Sequence, residues 1–234
     1  MLRRIDLNAD LGENCGDDAA MLELVTSANI ATGGHAGGGE TLRETLDRAI
    51  ELNVRIGAHP SYLDRENFGR TSHADSVCRD ELVAHIVSQL RAFDAAVAGR
   101  VDVAYVKAHG ALYNDAMARA DIAQVLLDAL DQWNPQRDIA VMGLPNSVLS
   151  QAADGARPFI TEGFADRAYL ADGSLMPRSQ AGAVLADLTE IRAQALRLAT
   201  TVDSICIHGD TPNAVEMARR IRAELESAGF DVTA

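Results

Sequence analysis

Short runs of apolar and β-branched residues alternate along the chain with longer stretches in which apolar side chains recur every three or four positions. The short runs predict strands at Arg4–Asn8, Ala28–Thr32, Val54–Ala58, Val101–Lys107, Ile139–Gly143, Arg157–Glu162 and Ser204–Ile207. Among the longer ones, Leu42, Leu46, Ala49 and Ile50 share one helical face. So do Val83, Val87, Leu90, Phe93 and Val97, and again Val215, Ala218, Ile221 and Leu225. The last helix carries its own punctuation, with Thr211 suited to a cap, Pro212 to a first turn and Gly229 to an exit. Strand followed by helix, about seven times over, predicts an α/β fold built on a parallel sheet. No linker, charge block or longer repeat interrupts the pattern. A chain of 234 residues buries one sizeable core but not two α/β domains, so residues 1–234 are expected to form one domain.

Composition narrows the function classes. With 47% hydrophobic and 24% charged residues the chain has the balance of a globular protein. A net charge of -13 repels phosphate backbones and anionic lipid surfaces, which disfavours nucleic-acid and membrane roles. The amino terminus has two arginines but no apolar run of signal-peptide length, and no later stretch reaches that of a membrane span, so a cytoplasmic location is expected. Cys15, Cys78 and Cys206 are odd in number and widely spaced, which fits reduced thiols. Of 21 basic side chains, Lys107 is the only lysine. An amine offers a compact charge that a planar guanidinium cannot supply.

Candidate chemistry gathers where the expected strands end. Four of the six histidines follow an apolar strand at once: His35 in ATGGHAGGG, His59 in IGAHPSY, His109 in VKAHGALYN and His208 in CIHGDTP. The carboxyl ends of parallel strands face one rim, so these four imidazoles should converge. His85, within a helical stretch, and His73, in a polar loop, fit structural or solvated roles. The first strand runs into IDLNADLGE, and alternation puts Asp6, Asn8 and Asp10 on one face with Glu13 just beyond. Polar residues on a face that should be apolar are costly unless used or paired. Asp166 and Asp210 join the candidates, although Asp210 equally suits a helix cap. No GxxxxGK[ST] occurs, which excludes a classical P-loop.

The segments DLNADLGE, NIATGGHAGG, IGAHPSYLDRENFGR, YVKAHGALYN, EGFADRAYLADGSLMPRSQAGAV and SICIHGDTPNAV stand in the order and rough spacing of the LamB/YcsF proteins. The chain resembles that family over nearly its whole length. The resemblance implies a seven-stranded β/α barrel related to the glycoside hydrolase and polysaccharide deacetylase fold. It implies ATP-coupled conversion of 5-oxo-L-proline to L-glutamate by a 5-oxoprolinase, with ATP (and Mg2+) as co-substrate. In that assembly this chain stands as the A component beside subunits B and C. Family motif positions fall on Asp10, Glu13, His35, His59, Arg70, Lys107, His109, Asp166, Arg167, Arg178, His208 and Asp210. The chain departs from the usual family pattern at Ala9, Thr32, Gly34, Gly38, Gly39 and Ala108. The extra glycines predict a more flexible GGHAGGG loop.

An unstrained five-membered amide resists water, and ATP would turn its oxygen into a better leaving form. On this reading Asp10 or Glu13 orients an imidazole or a water, and His35, His59 or His109 acts as general base or acid. Lys107 stabilises developing negative charge. Arg70 or Arg178 suits a substrate carboxylate, with Asp166, His208 and Asp210 also on the substrate side. A transition metal, if bound, has Asp10, His35, His59 and His109 as its expected ligands. Two other classes fit the same residues: a metal-dependent, deacetylase-like hydrolase, and a non-catalytic subunit that positions substrate for its partners. Self-association is left open.

Overall fold

In the computed structural model, which describes residues 3–136, 139–209 and 213–234, seven parallel strands close into a barrel. They are β1 (Arg3–Leu11), β2 (Ser27–Ala31), β3 (Arg55–His59), β4 (Tyr105–Val106), β5 (Ala140–Gly143), β6 (Phe159–Phe164) and β7 (Ser204–Cys206). Neighbours in sequence pair with one another, and β1 closes the ring by pairing with both β2 and β7. An eighth strand, β8 (Phe230–Val232), lies parallel to Arg3–Ile5, below the point where β7 joins β1 at Asp6. The helices are α1 (Asp18–Leu22), α2 (Gly39–Glu51), α3 (Arg79–Val97), α4 (Gly110–Ala118), α5 (Ala120–Trp133), α6 (Val148–Ala153), α7 (Leu188–Leu198) and α8 (Ala214–Ser227). Among the described residues no helix is long and apolar enough to cross a membrane.

The expected helical faces are the buried ones. Leu42, Leu46 and Ala49 of α2, and Val83, Val87, Leu90, Phe93 and Val97 of α3, lie in the main hydrophobic cluster. Full burial of a side chain such as Leu90 or Phe93 stabilises by about 1.5–3 kcal/mol. On α8, Met217 takes the inward position expected of Val215, which is half-buried. Thr211 and Pro212 lie outside the described residues, and Asn213 caps α8. The run Val101–Lys107 pairs as a strand only at Tyr105–Val106, while Val103 packs into the core from the approach. The three-residue β8 is too short to carry a periodic signal.

Alternation along β1 sorts its side chains into two layers. Ile5, Leu7, Ala9 and Leu11 enter the hydrophobic cluster, whereas Asp6, Asn8 and Asp10 turn into the barrel. The interior is therefore a hydrogen-bonded ladder. Asp6 accepts from Thr26 Oγ1 (2.6 Å), Ser27 Oγ (2.7 Å) and Ser204 Oγ. Asn8 Nδ2 donates to Ser204 Oγ (2.7 Å), and Asn29 Nδ2 reaches both Asn8 Oδ1 and Asp10 Oδ1 at 2.7 Å. The Tyr105 hydroxyl donates to Asn29 Oδ1 at 2.6 Å. Space for that ring comes from Gly57, where a Cβ would approach Tyr105 Cε2 to 2.2 Å.

Candidate active site

Every strand-end group named from the sequence, where described, reaches one rim. Asp10 is near the end of β1 and Glu13 just past it, His35 follows β2, and His59 ends β3. Lys107 and His109 follow β4, Asp166 and Arg167 follow β6, and His208 follows β7. Asp210 lies outside the described residues. The loop that carries His35 is tied rather than loose. Thr32 and Gly37 form an antiparallel bridge, and Arg65 donates to the carbonyls of Gly33 (2.7 Å) and Gly37 (3.1 Å). Glycine is required at position 37, where φ is +61° and a Cβ would stand 2.0 Å from the Gly12 carbonyl oxygen. The fork of Arg65 thus supplies the restraint that the glycines themselves lack.

Asp10, Glu13, His59 and His109 offer ligand atoms within 4.8 Å of one another, all buried. His59 Nε2 is 3.4 Å from Asp10 Oδ2 and 3.0 Å from His109 Nδ1, which in turn is 3.2 Å from Glu13 Oε1. The opposite nitrogens face carbonyls: His59 Nδ1 donates to Lys107 O at 2.8 Å, and His109 Nε2 to Phe68 O at 3.0 Å. A carbonyl only accepts, and a neutral imidazole carries one N–H. The two inward nitrogens of the neutral rings therefore present lone pairs to each other and to two carboxylates. Burial raises the pKa of Asp10, but charged neighbours, the Lys107 ammonium at 3.0 Å among them, more than reverse this and hold it well below the ordinary range. Glu13 is likewise held low against its burial, with the His35 N–H donating to it. Such an acceptor-only cluster repels itself unless a cation sits within it. Its imidazole and carboxylate donors, with backbone carbonyls fixing the ring tautomers, fit a divalent transition metal such as Zn2+.

His35 stands one step outside this cluster. Its Nε2 donates to Glu13 Oε1 at 2.9 Å, its ring stacks on His109 with centroids 3.6 Å apart, and burial lowers its pKa to about 4. Glu13 thus stands with Asp10, His59 and His109 in the group that could hold an ion, and His35 orients Glu13 from outside it. Beneath the cluster Lys107 is caged. Its Nζ lies 3.0 Å from Asp10 Oδ1, 3.0 Å from Glu162 Oε2, 3.2 Å from Cys206 Sγ and 3.4 Å from Asn8 Oδ1. Burial opposes its charge, but Asp10 above all, and then Glu162, push its pKa well above that of an ordinary lysine.

Across the cavity a second pairing stands ready. His208 Nδ1 faces both oxygens of Asp166, at 2.9 and 3.0 Å, and its ring stacks on Phe164 with centroids 5.4 Å apart. Burial raises the Asp166 pKa, but His208 and then Arg178 bring it below the usual value. An ionised Asp166 fixes the proton on Nδ1 and leaves Nε2 as the ring's other, exchangeable site. The cavity between this dyad and the four-group cluster has a volume of about 480 Å³. Arg70, Arg167 and Arg178 line it. Arg70 lies over the Phe68 ring at 4.9 Å, and Arg167 is spent on the carbonyls of Met176 (2.7 Å) and Ala183 (3.2 Å).

Sequence reasoning missed Glu162, although it opens the EGFADRAY segment, because a single acid at the end of an expected strand does not show that it faces an amine inside the barrel. It missed Phe68 too, whose contribution is a carbonyl that any residue carries. His85 and His73 stay apart from the site, paired with Glu81 (3.7 Å) and Ser76 (3.3 Å) respectively.

Comparison with known proteins places this fold and sequence beside others. The chain is similar to a lactam utilization protein from Thermus thermophilus, with 34% identity over 99% of each chain and a TM-score of 0.89. It shares its fold with a family 4 carbohydrate esterase from Streptomyces lividans, at 11% identity, 98% of this chain, 91% of that chain and a TM-score of 0.56. The same holds for the T48 deacetylase, at 13% identity, 99% and 88% coverage and a TM-score of 0.52. The LamB/YcsF family model matches residues 5–234, and the chain is a member of the LamB/YcsF family.

Proposed function

We propose that this protein opens the amide ring of a small anionic lactam, 5-oxo-L-proline, to give L-glutamate, as the A component of an ATP-dependent 5-oxoprolinase acting with subunits B and C. The observation that carries the reading is the pairing, across one cavity, of an acceptor-only cluster with a carboxylate-oriented imidazole. Family membership and the likeness to a lactam utilization protein support a lactam as the substrate.

Asp10, Glu13, His59 and His109 would hold a divalent cation, which when bound supplies a more acidic water and a polarised carbonyl. Arg70 and Arg178, which both line the cavity, take the substrate carboxylate. Lys107 keeps Asp10 ionised and in place. His208, its Nδ1 proton held by Asp166, carries the exchangeable proton at Nε2 and delivers it to the ring nitrogen as the C–N bond breaks. ATP, with Mg2+, enters as co-substrate through the assembled complex.

The test is 5-oxoproline-dependent ATP hydrolysis and glutamate formation by this chain alone and with its B and C partners. Activity confined to the mixture, and lost on His208→Gln, is the expected result. Unchanged activity of that mixture with His208→Gln would leave this chain a positioning subunit. The four-group cluster favours one alternative, a metal-dependent, deacetylase-like hydrolase. Acetate release from an acetylated substrate without ATP, and no glutamate from any mixture, would replace the lactam reading with it.

A further inference from the structure

The cavity does not end at the reacting groups. A second chamber of about 590 Å³ opens beside it, and the two share Asn114, Leu175 and Pro177. One wall is the next turn of α4, where Met117 and Ala118 follow Asn114 at helical spacing. A second wall is the segment after β5, with Leu144 and Val148. The third is the excursion after β6, which presents Leu170, Leu175 and Met176.

That third wall is built, not draped. Tyr169 and Leu175 form an antiparallel bridge, and Leu170 N donates to Ser174 O at 2.8 Å. The buried Arg167 binds the Met176 carbonyl, and the Tyr169 hydroxyl accepts from Phe164 N at 2.6 Å, which fastens the excursion to the end of β6. Several polar groups of the chamber are already engaged. Ser147 Oγ accepts from Ser150 N at 3.1 Å, and Asp172 Oδ1 accepts from Ser174 N (2.9 Å) and Ser174 Oγ (2.6 Å). No basic side chain lines it among the described residues. What the chamber offers a ligand is mainly carbon surface, in contrast to the charged cavity it joins.

We propose that this chamber is a second subsite, which takes an uncharged apolar substituent of a ligand whose amide and carboxylate occupy the main cavity. The proposal rests on the reading of the main cavity as a site for a carboxylate-bearing amide, and it extends the substrate class from the bare lactam to amides with an alkyl tail. The first chamber is large enough by itself for a small lactam, which would leave the second empty. A tail that enters it removes apolar surface from water on both sides.

N-acetylglycine, N-butanoylglycine and N-hexanoylglycine carry the same amide and carboxylate with tails of increasing length. Their binding to the full chain is measured by calorimetry, together with competition by 5-oxoproline. Each added methylene is expected to tighten binding by up to about fourfold, the value for complete burial of a CH2 group. Ala118→Trp fills the chamber from the exposed end of α4, and in that variant the ratio of hexanoyl to acetyl affinity should collapse toward one. Equal affinities across the series in the unsubstituted protein would overturn the subsite while leaving the main-cavity reading intact. A gain with chain length that persists in Ala118→Trp would place the tail elsewhere and overturn it too. No binding by any member, and no competition with 5-oxoproline, would defeat the main-cavity reading and the subsite with it.

Discussion

Replacement of Lys107 by methionine isolates what the buried ammonium does. The substitution keeps the length and most of the volume of the side chain and removes only its charge and donors. Two carboxylates lose their partner at 3.0 Å, Asp10 and Glu162. Asp10 keeps the Asn29 amide at 2.7 Å and His59 at 3.4 Å. Glu162 is fully buried and meets no well-aligned hydrogen-bond donor, so Lys107 is its one cationic partner among the described residues. Removal of one member of a buried ion pair costs about 3–5 kcal/mol, because the other charge stays behind uncompensated. A loss of that size is a large part of the roughly 5–15 kcal/mol that holds a domain folded. Urea unfolding followed by far-ultraviolet circular dichroism reads it directly. Lys107→Met combined with Glu162→Leu should be more stable than Lys107→Met alone, since the double variant has no stranded charge on β6. A lysine whose only task is to stabilise charge at the reacting centre predicts lost turnover with stability unchanged. If Lys107→Met unfolds within about 1 kcal/mol of the parent, or if Glu162→Leu worsens it, the cage is not what holds this part of the barrel.

Three further outcomes follow from the same geometry. His35, with its pKa lowered to about 4 by burial, binds its proton more readily once unfolded. Its contribution to stability is therefore complete above pH 6.5 and is lost as the pH falls from 6.5 toward 4, at no more than about 1.4 kcal/mol per unit. His109, lowered by burial in the same direction, adds to the slope. In His35→Gln, urea midpoints measured from about pH 7 to about pH 4.5 should fall less steeply, and an unchanged slope would mean that His35 is charged in the fold. Asp166→Asn should lower kcat by about a hundredfold or more with KM little changed, because His208 loses the carboxylate charge that fixes its Nδ1 proton while the arginines remain. Full activity would remove the dyad from the mechanism. His59→Gln should weaken Zn2+ or Mn2+ binding by at least about tenfold, read by metal analysis after dialysis and by the shift of the melting temperature on metal addition. Equal metal content in the variant and the parent would dismiss the cluster as a cation site.

Much of this architecture was legible because it depends on local rules. The alternation of Asp6, Asn8 and Asp10 with Ile5, Leu7 and Ala9 is the period of a strand. A histidine directly after each of four apolar runs follows from the common direction of parallel strands. What stayed hidden depends on distances that sequence does not encode. That Glu13 rather than His35 stands in the four-group cluster goes with His35 stacking on His109, a contact between the β2 and β4 ends. Glu162 gains its meaning only when the closed ring brings the ends of β1, β4 and β6 together and places two carboxylates on one amine. The β6–α7 excursion contains no periodic pattern at all, because its shape is set by Arg167 and Tyr169 bonding to backbone groups.

The solitary lysine now has a physical account. Position 107 asks for one compact charge with several donors, shared between carboxylates on two different strands and closed in by Cys206 Sγ at 3.2 Å and the Phe164 ring at 5.0 Å. A guanidinium is planar, larger and directional, and it would need to displace either the sulfur or the ring to aim its fork at both acids. Other cations among the described residues sit on helix surfaces, such as Arg219 and Arg220 beside Glu216, where space is open and a fork is an advantage. Lys107 also joins the polar ladder of the interior to Asp10, so the stability of the barrel floor and the charge state of the site are set by the same ammonium.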